Sequence, residues 1–210
     1  MDHEDLQPIS APTAVKIVDA AGRLFLQRGY KAVSISEIIK AAEVTKPTLY
    51  YYFADKEELF VQMGLRVTAE MGERMRAAAA APGGIAARLE ALATVLMGDG
   101  ERDMRMMRHE MLEHLGPAQR SRLARAFFLH IFSPVLRAME DGVAAGELTR
   151  YPPVTLAKMF MSMSEAFQEF TPRGVGERNP HHAEMFGTDS LDASALVDLF
   201  LNGVGPRPSR

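Results

Sequence analysis

Apolar residues recur along most of the chain at the three- and four-residue intervals that place them on one face of an α-helix. The first stripe runs through Ile17, Leu24 and Phe25, and a second runs through Ile35 and Ile38. No stretch alternates between apolar and polar residues in the manner of a half-buried β-strand, so the predicted fold class is all-α. The predicted helices cover residues 13–29, 34–42, 45–53, 56–80, 85–97, 102–115, 117–145, 153–171 and 191–203.

Proline and glycine interrupt this helical pattern. Residues 82–84, Pro-Gly-Gly, separate two helices, and Pro134 is expected to kink or split the long helix that contains it. Residues 171–189 are polar and rich in glycine and proline, which predicts a loop, and residues 203–210 are expected to fray.

The segment 34–53 carries helix-boundary signals at close spacing. Ser34 and Glu37 form a capping-box pattern at the start of the second helix. Thr45 is a good N-cap for a third helix, whose first turn tolerates Pro47 because that position needs no N–H group. Asp55 caps the long helix that follows. Two short helices joined by a tight turn, and braced by the helix before them, predict a helix-turn-helix domain.

Three adjacent tyrosines, residues 50–52, lie on the predicted third helix. Successive helical positions are about 100° apart, so the three rings cannot all enter one core. Leu49 and Phe53 occupy the core side, which leaves aromatic side chains on the exposed side. Hydroxyl groups on stiff rings can reach phosphates, and the ring faces can pack on thymine methyl groups or sugars. The pattern therefore indicates a DNA-binding helix.

The core of this region, VTKPTLYYYFADKEELF, resembles the DNA-binding signature of the TetR family of one-component bacterial transcriptional regulators, and the resemblance covers roughly residues 15–60. It implies operator contacts from the recognition helix, direct base reading at Lys46, and a further contact from Lys56 at the start of the next helix. Tyr51 is an additional candidate. The DNA-binding residues predicted in this way are Ser36, Thr45, Lys46, Thr48, Tyr50, Tyr51, Tyr52 and Lys56.

Glu43 departs from the family pattern, which commonly has glycine at this place in the turn. A left-handed conformation costs a residue with a side chain about 1 kcal/mol, so we expect some strain there. Three of the predicted contacts also have simpler alternatives. Lys56 and Ser36 would then be solvated surface residues, and Tyr52 would pack its ring on the first helix.

Composition and charge narrow the class of protein. The 210 residues are 47% hydrophobic and 24% charged, which is typical of a globular protein. The net charge is −3, yet residues 13–56 carry seven basic and four acidic side chains, a local excess of +3 that suits DNA. The absence of cysteine excludes disulfides. Residues 1–12 lack the apolar core of a signal peptide and no apolar run is long enough to span a membrane, so a cytoplasmic protein is expected.

Enzyme motifs are not found in the sequence. The stretch HEMLEH places His109 and His114 five residues apart, whereas the zinc-protease pattern needs four so that both face one ion. His181 and His182 fall in the predicted loop, where solvation is the simpler interpretation. No nucleophile elbow, phosphate-binding loop or dinucleotide fingerprint occurs. We therefore expect no enzymatic activity, no metal and no cofactor.

Thirteen of the fourteen methionines follow residue 60. Methionine fills cores well, and about half of them need no other explanation. An adaptable pocket for a lipophilic effector is the functional interpretation, and the resemblance implies such a pocket in the C-terminal part. The predicted effector residues are Met71, Met75, Met104, Met107, Met111, Phe127, His130, Met159 and Met163, with His109 as an alternative polar partner.

We expect a DNA-binding domain over residues 11–55 and a helical effector-binding and dimerisation domain over residues 56–204. The predicted function is a ligand-responsive regulator, a repressor acting as a homodimer on a palindromic operator, because one short helix reads too few base pairs for useful specificity. The predicted dimer interface comprises Phe160, Phe167, Phe170, Leu196, Leu199 and Phe200 in the last two helices. The alternatives are a protein-interaction or small-molecule-binding module that no longer binds DNA and, more remotely, a helical enzyme.

Overall fold

The computed structural model describes residues 6–98, 100–148, 151–169 and 192–203, and only the backbone of residues 100–106 and 168–169. Every regular element in these ranges is helical, which confirms the all-α prediction. The helices are α1 (Pro12–Arg28), α2 (Ile35–Ala42), α3 (Lys46–Tyr52), α4 (Lys56–Ala79), α5 (Ile85–Leu96), α6 (Gly100–His114), α7 (Pro117–Phe127), α8 (Ser133–Ala144), α9 (Pro153–Glu169) and α10 (Ala193–Asn202). The loop predicted over 171–189 and the tail beyond Gly203 lie outside the described residues.

The boundary signals near the N-terminus act as predicted. Helix α1 ends at Gly29, whose φ of 80° suits a residue without a side chain. Helix α2 begins with the complete capping box, in which the Ser34 hydroxyl accepts from the Glu37 amide and the Glu37 carboxylate accepts from the Ser34 amide. Asp55 accepts from the Glu58 amide at 2.8 Å and so caps α4. These local bonds satisfy amides that the first turns leave without intrahelical partners.

The predicted helix 117–145 is interrupted, but not at the proline itself. A single π-helical turn, Phe128–Phe132, separates α7 from α8, and Pro134 lies in the first turn of α8. Phe132, the residue before α8, is itself helical, so the π turn continues directly into α8. A proline within a helix removes one backbone hydrogen bond and crowds the carbonyl four residues earlier, and the wider π turn lies where that crowding has to be relieved. The irregularity therefore lies one turn earlier than the sequence suggests.

The contacts of the described residues group them into two compact units. The first unit comprises residues up to Gly72 together with 103–131, and the second comprises 73–102 together with the residues from 132 onward. Helix α4 thus contributes residues to both units. The predicted boundary between residues 55 and 56 separates a DNA-binding domain from an effector-binding domain by function, not by packing. That boundary stays a prediction.

The core of the first unit is built where α1 and α3 meet the start of α4. Leu49, Phe53 and Leu59 are fully or almost fully buried. The Phe60 ring meets the Phe25 ring edge to face with centroids 5.5 Å apart. Leu59 and Phe60 therefore anchor the start of α4 to the helix-turn-helix region.

Further along, α4 packs closely on α6 and α7 within the same unit. A Cβ atom on Gly64 would lie 2.7 Å from Leu123 Cδ2 and 3.0 Å from Met107 Sδ, so any other residue here would require these side chains to shift. Nearby, the Glu58 carboxylate accepts two hydrogen bonds from Arg122 Nη1, at 2.9 and 3.0 Å. Apolar contact and a charge-assisted bond together fix α7 on α4.

In the second unit, α9 packs against α8 and α10, and α10 packs against α5. Phe160 is completely buried and meets the Phe200 ring edge to face at 5.3 Å. The first amide of α5, that of Ile85, donates to Glu147 Oε2 at 3.0 Å, so a residue far along the sequence caps this helix. Among the described helices, none has the length and apolar character needed to cross a membrane.

Candidate DNA-binding surface

Helix α3 is short and has two distinct faces. It begins at the N-cap Thr45, whose hydroxyl accepts from the Thr48 amide at 3.3 Å. Leu49 is buried completely on the inner face, and Phe53, just after the helix, is 1% exposed. Tyr51 is 81% exposed on the outer face. With Tyr50 also exposed, two neighbouring aromatic rings face solvent, and grouped exposed apolar surface is typical of binding sites.

The exposed face of α3 combines a cation with aromatic rings. Lys46 Nζ lies 5.9 Å from the Tyr50 ring centroid, and Tyr50 is 45% exposed. Lys46 forms no ion pair with any residue in the described ranges. The Thr48 hydroxyl is 2.8 Å from the Thr45 hydroxyl, so each of these two groups has a partner within the helix start. The outer face therefore offers a positive charge and several hydroxyl groups in one place.

Tyr52 lies between the two faces of α3. It is half-buried and packs against the core of the first unit. Its ring also meets the Tyr51 ring edge to face, with centroids 4.9 Å apart. Tyr52 thus supports the orientation of Tyr51, and a direct DNA contact from Tyr52 stays a prediction.

The turn between α2 and α3 has the conformation expected from the sequence. Glu43 adopts the left-handed conformation, with φ 51° and ψ 46°, and it is the one described residue other than glycine with positive φ. Its carboxylate pairs with Lys16 Nζ on α1 at 3.0 Å, and both side chains are largely exposed. No local pattern in the sequence predicts this pairing, since the two residues are 27 positions apart.

Ser36 is exposed in the first turn of α2, beside a dense set of hydrogen bonds. The Glu37 carboxylate accepts from the Ser34 hydroxyl at 2.7 Å and pairs with Arg28 Nη1 at 2.7 Å. The bonds from Ser34, and then the one from Arg28, lower the pKa of Glu37 to about 2. This carboxylate therefore stays ionised and holds the start of α2, with Ser36, in a fixed position.

Lys56 is half-buried at the start of α4, and its ammonium lies 4.2 Å from the Tyr30 ring centroid. Burial lowers the pKa of Lys56, against the opposing fields of Glu110 and Glu37. Burial also raises the pKa of Tyr30 to about 12, with Glu57 and Asp55 acting in the same direction. Lys56 is therefore not the freely solvated lysine of the simpler alternative. Its predicted contact with phosphate stays a prediction.

The structure distributes the predicted effector residues over both units, and they do not all share one environment. Met71, Met75 and Met107 are buried, whereas Phe127 and Met159 are exposed. His130 packs against α4 so closely that a Cβ atom on Gly72 would lie 2.8 Å from His130 Cβ. Met111 and Met163 are half-buried, His109 is exposed, and the side chain of Met104 lies outside the described part of the chain.

The predicted interface residues on α9 and α10 fall into two groups. Phe160 and Leu196 are completely buried within the chain. They can stabilise the helices that form an interface, but they cannot contact a partner themselves. Phe167, Leu199 and Phe200 are half-buried and retain surface for a partner. Phe170 lies outside the described residues.

These features define a helix-turn-helix protein with an exposed aromatic and basic recognition helix. Residues 17–63 match the sequence profile described as "Bacterial regulatory proteins, tetR family". The regulator AcrR of Shigella flexneri is 41% identical over 61 residues, 29% of this chain and 28% of that protein. The regulator QacR of Staphylococcus aureus is 44% identical over 48 residues, 23% of this chain and 26% of that protein. The chain thus matches less than a third of the length of either relative.

Solved structures extend the likeness of the fold over most of the chain. The fatty acid degradation regulator FadR of Bacillus halodurans is 16% identical with a TM-score of 0.74, covering 95% of this chain and 100% of that one. A TetR/AcrR-family regulator of Thermobifida fusca is 24% identical with a TM-score of 0.66, covering 92% and 98%. The profile match identifies residues 17–63 with the DNA-binding region of the tetR family, and the solved structures show that most of the chain shares the fold of such regulators. The matched relatives are described as transcriptional regulators.

Proposed function

We propose that the chain binds operator DNA through the outer face of α3 and regulates transcription. The observation that carries the proposal is the orientation of α3: Leu49 is buried, whereas Lys46 and Tyr51 are presented to solvent. A basic residue near the N-terminus of a recognition helix can read base edges in the major groove, and flanking tyrosines can hold phosphates. The proposal assigns base reading to Lys46 and Tyr51, and positioning on phosphates to Thr48, Tyr50, Tyr52 and Lys56.

The regulator is proposed to be a homodimeric repressor acting in the cytoplasm on a palindromic operator. Helix α3 has seven residues and can contact only a few base pairs, so a second copy is needed for specificity. Two copies related by a two-fold axis would read two half-sites about one helical turn apart. The partly exposed apolar residues of α9 and α10 are the proposed interface, since C2 dimers bury self-complementary apolar patches.

Selection of operators from random duplex DNA tests the DNA-binding proposal, with Lys46→Ala as the main variant. We expect the unaltered chain to enrich a pseudo-palindrome, and Lys46→Ala to bind it with a cost of about 1–3 kcal/mol and relaxed specificity at one position in each half-site. The matched control is Lys31→Ala, an exposed lysine before α2. Failure to enrich any sequence would favour the alternative of a module that has lost DNA binding.

We further propose that a lipophilic small molecule is the effector and that it releases the operator. Support comes from the abundance of soft methionine side chains after residue 60. A neighbour of the same fold, FadR of Bacillus subtilis, was crystallised with stearoyl-CoA; it is 17% identical with a TM-score of 0.71 and covers 91% of this chain and 99% of that one. Helix α4 is the proposed transmitter, because it is anchored to the helix-turn-helix region and continues into the second unit.

Linkage provides the test of the effector proposal. A ligand that prefers the form unable to bind DNA by about 1–3 kcal/mol lowers operator affinity about 5- to 150-fold, and operator DNA must weaken ligand binding by the same factor. Decanoyl-CoA and decanoate are suitable first probes, titrated with and without operator. Equal affinities in the two titrations would show that the bound probe does not control DNA binding.

A further inference from the structure

A cleft of about 680 Å³ opens within the second unit, between the end of α4, the turn that follows it, and helices α5 and α8. Its walls include the small apolar residues Ala80, Pro82 and Pro134. Three arginines also line it, one from each of three helices: Arg76 from α4, Arg88 from α5 and Arg137 from α8. The volume is in the range of small-molecule sites. None of the predicted effector residues lines this cleft.

Arg88 is the most enclosed of the three, with 17% of its side chain exposed. Its Nη1 lies 3.5 Å from Asp141 Oδ2 and its Nη2 lies 3.5 Å from Glu147 Oε2, both beyond the usual length of a charge-assisted bond. The Glu147 carboxylate is also committed to the Ile85 amide at 3.0 Å. Arg88 Nε is buried and has no hydrogen-bond partner among the described residues. A buried donor of this kind is costly unless water or a ligand satisfies it.

The other two arginines add charge that is only partly neutralised. Arg137 is exposed and forms no ion pair with any residue that the structure describes. Arg76 pairs with Glu73 at 2.6 Å, but both side chains are largely exposed, so the pair is weak and can rearrange. Asp141 is the single acidic residue of the lining, which leaves the lining with three positive charges against one negative charge.

We propose that this cleft binds a small organic anion, with its carboxylate or phosphate group held by Arg88 and Arg137 and its apolar body against the alanine and proline wall. A planar guanidinium matches both kinds of oxygen group, and it gives two parallel bonds to either. The Arg88 guanidinium provides such donors through Nη1 and Nη2, whose contacts with Asp141 and Glu147 are long at 3.5 Å. The inference goes beyond the proposed function, because the cleft is a separate site from the methionine set and its occupation is measured without DNA.

Titration calorimetry on the full chain tests the inference with three probes of one shape: benzoate, phenyl phosphate and the neutral benzyl alcohol. We expect saturable binding of one or both anions with one site per chain, and no saturable binding of the alcohol. Benzoate alone would assign a carboxylate ligand, and phenyl phosphate alone would assign a phosphate ester. Arg137→Gln should weaken the binding about tenfold or more, because it removes a charge-assisted contact.

Two further variants separate the proposed geometry from general charge. Arg88→Lys keeps the positive charge but removes the Nε donor and the planar fork, so it should also weaken binding about tenfold. Arg125→Gln on α7 is the matched control, since it removes an exposed arginine outside the cleft, and it should leave the affinity unchanged. Thermal unfolding verifies that each variant is folded. If Arg88→Lys does not fold, the result for Arg137→Gln tests the proposal alone. Arg137 is exposed, so its replacement should not prevent folding. Absence of saturable anion binding, equal binding of benzyl alcohol, or undiminished binding by Arg137→Gln would overturn the proposal.

Discussion

The ammonium group of Lys56 lies 4.2 Å from the centre of the Tyr30 ring and 5.9 Å from that of Phe25. Lys56 is the first residue of α4, and Tyr30 follows the end of α1. The contact therefore ties the helix that leaves the DNA-binding region to the helix that braces it. Because the lysine remains partly exposed, the same group is available to a phosphate at the edge of the proposed DNA surface.

Lys56→Met separates these two roles, since methionine keeps the apolar stem and removes the charge. The lost cation–π contact is worth about 0.5–1 kcal/mol, but removal of the charge also relieves the desolvation that lowers the pKa of Lys56, so we expect little net change in the free energy of unfolding. We also expect all operators to be bound more weakly to a similar extent, with the slope of log K against log salt reduced by about one unit. Binding titrations at several salt concentrations measure this slope. Lys31→Met is the control, and an unchanged slope for Lys56→Met would remove Lys56 from the proposed contacts.

Replacement of the turn residue Glu43 is expected to increase the affinity for DNA. Glu43→Gly relieves a left-handed conformation that costs about 1 kcal/mol, and it frees Lys16 from its ion pair. Glu43→Gln frees Lys16 equally but keeps the strain. Both variants should bind DNA more tightly and with a steeper salt dependence, because a carboxylate near the phosphates is removed.

Thermal unfolding distinguishes the two Glu43 variants. Glu43→Gly should have a higher free energy of unfolding than Glu43→Gln. The difference should be smaller than the strain of about 1 kcal/mol, because glycine loses more backbone entropy on folding. Lower DNA affinity in both variants would contradict the placement of Glu43 near the DNA.

The capping carboxylate of Glu37 predicts a specific pH dependence. Its folded pKa of about 2 lies below the usual value of 4.5, so its contribution to stability is complete above pH 4.5 and is lost as the pH falls toward 2. A carbon-detected NMR titration should show the Glu37 carboxylate still ionised at pH 3.5. Ser34→Ala should move the pKa back toward 4.5, since the bonds from Ser34 are its main cause. Ordinary titration of Glu37 in the unaltered chain would contradict the capping geometry.

The proposed dimer interface is tested by Phe167→Asp on α9. A charge buried without a partner at a dimer interface costs several kcal/mol, so the variant should sediment as a monomer. Leu112→Asp is the control, because Leu112 is an exposed apolar residue on α6 outside the predicted interface and should leave the dimer intact. A folded and still dimeric Phe167→Asp protein in analytical ultracentrifugation would refute this interface.

The features that the sequence predicted correctly depend on residues close together in the chain. The capping box of Ser34 and Glu37, the cap at Asp55 and the left-handed turn at Glu43 each involve a few neighbouring positions. Helical periodicity also predicted the buried side of α3, and the order of helices followed from the same rule.

Other features depend on residues that only the fold brings together. The ion pair of Lys16 with Glu43 joins residues 27 positions apart, and Arg88 and Glu147 are separated by 59. No local pattern links such residues, so the sequence did not indicate the arginine-lined cleft. The π-helical turn at 128–132 was missed for a related reason: Pro134 marked a disruption, but the backbone accommodated it one turn earlier.

Hydroxyl-radical footprinting on a selected operator shows where the protein lies on the duplex and so tests whether a dimer reads DNA through α3. We expect two protected patches with centres separated by about 10–10.5 base pairs or a multiple of this, related by the pseudo-palindrome. We also expect Lys46→Ala to lose both patches at a concentration where Lys31→Ala retains them. A single protected patch, or protection that does not depend on Lys46, would contradict a dimer that reads DNA through the outer face of α3.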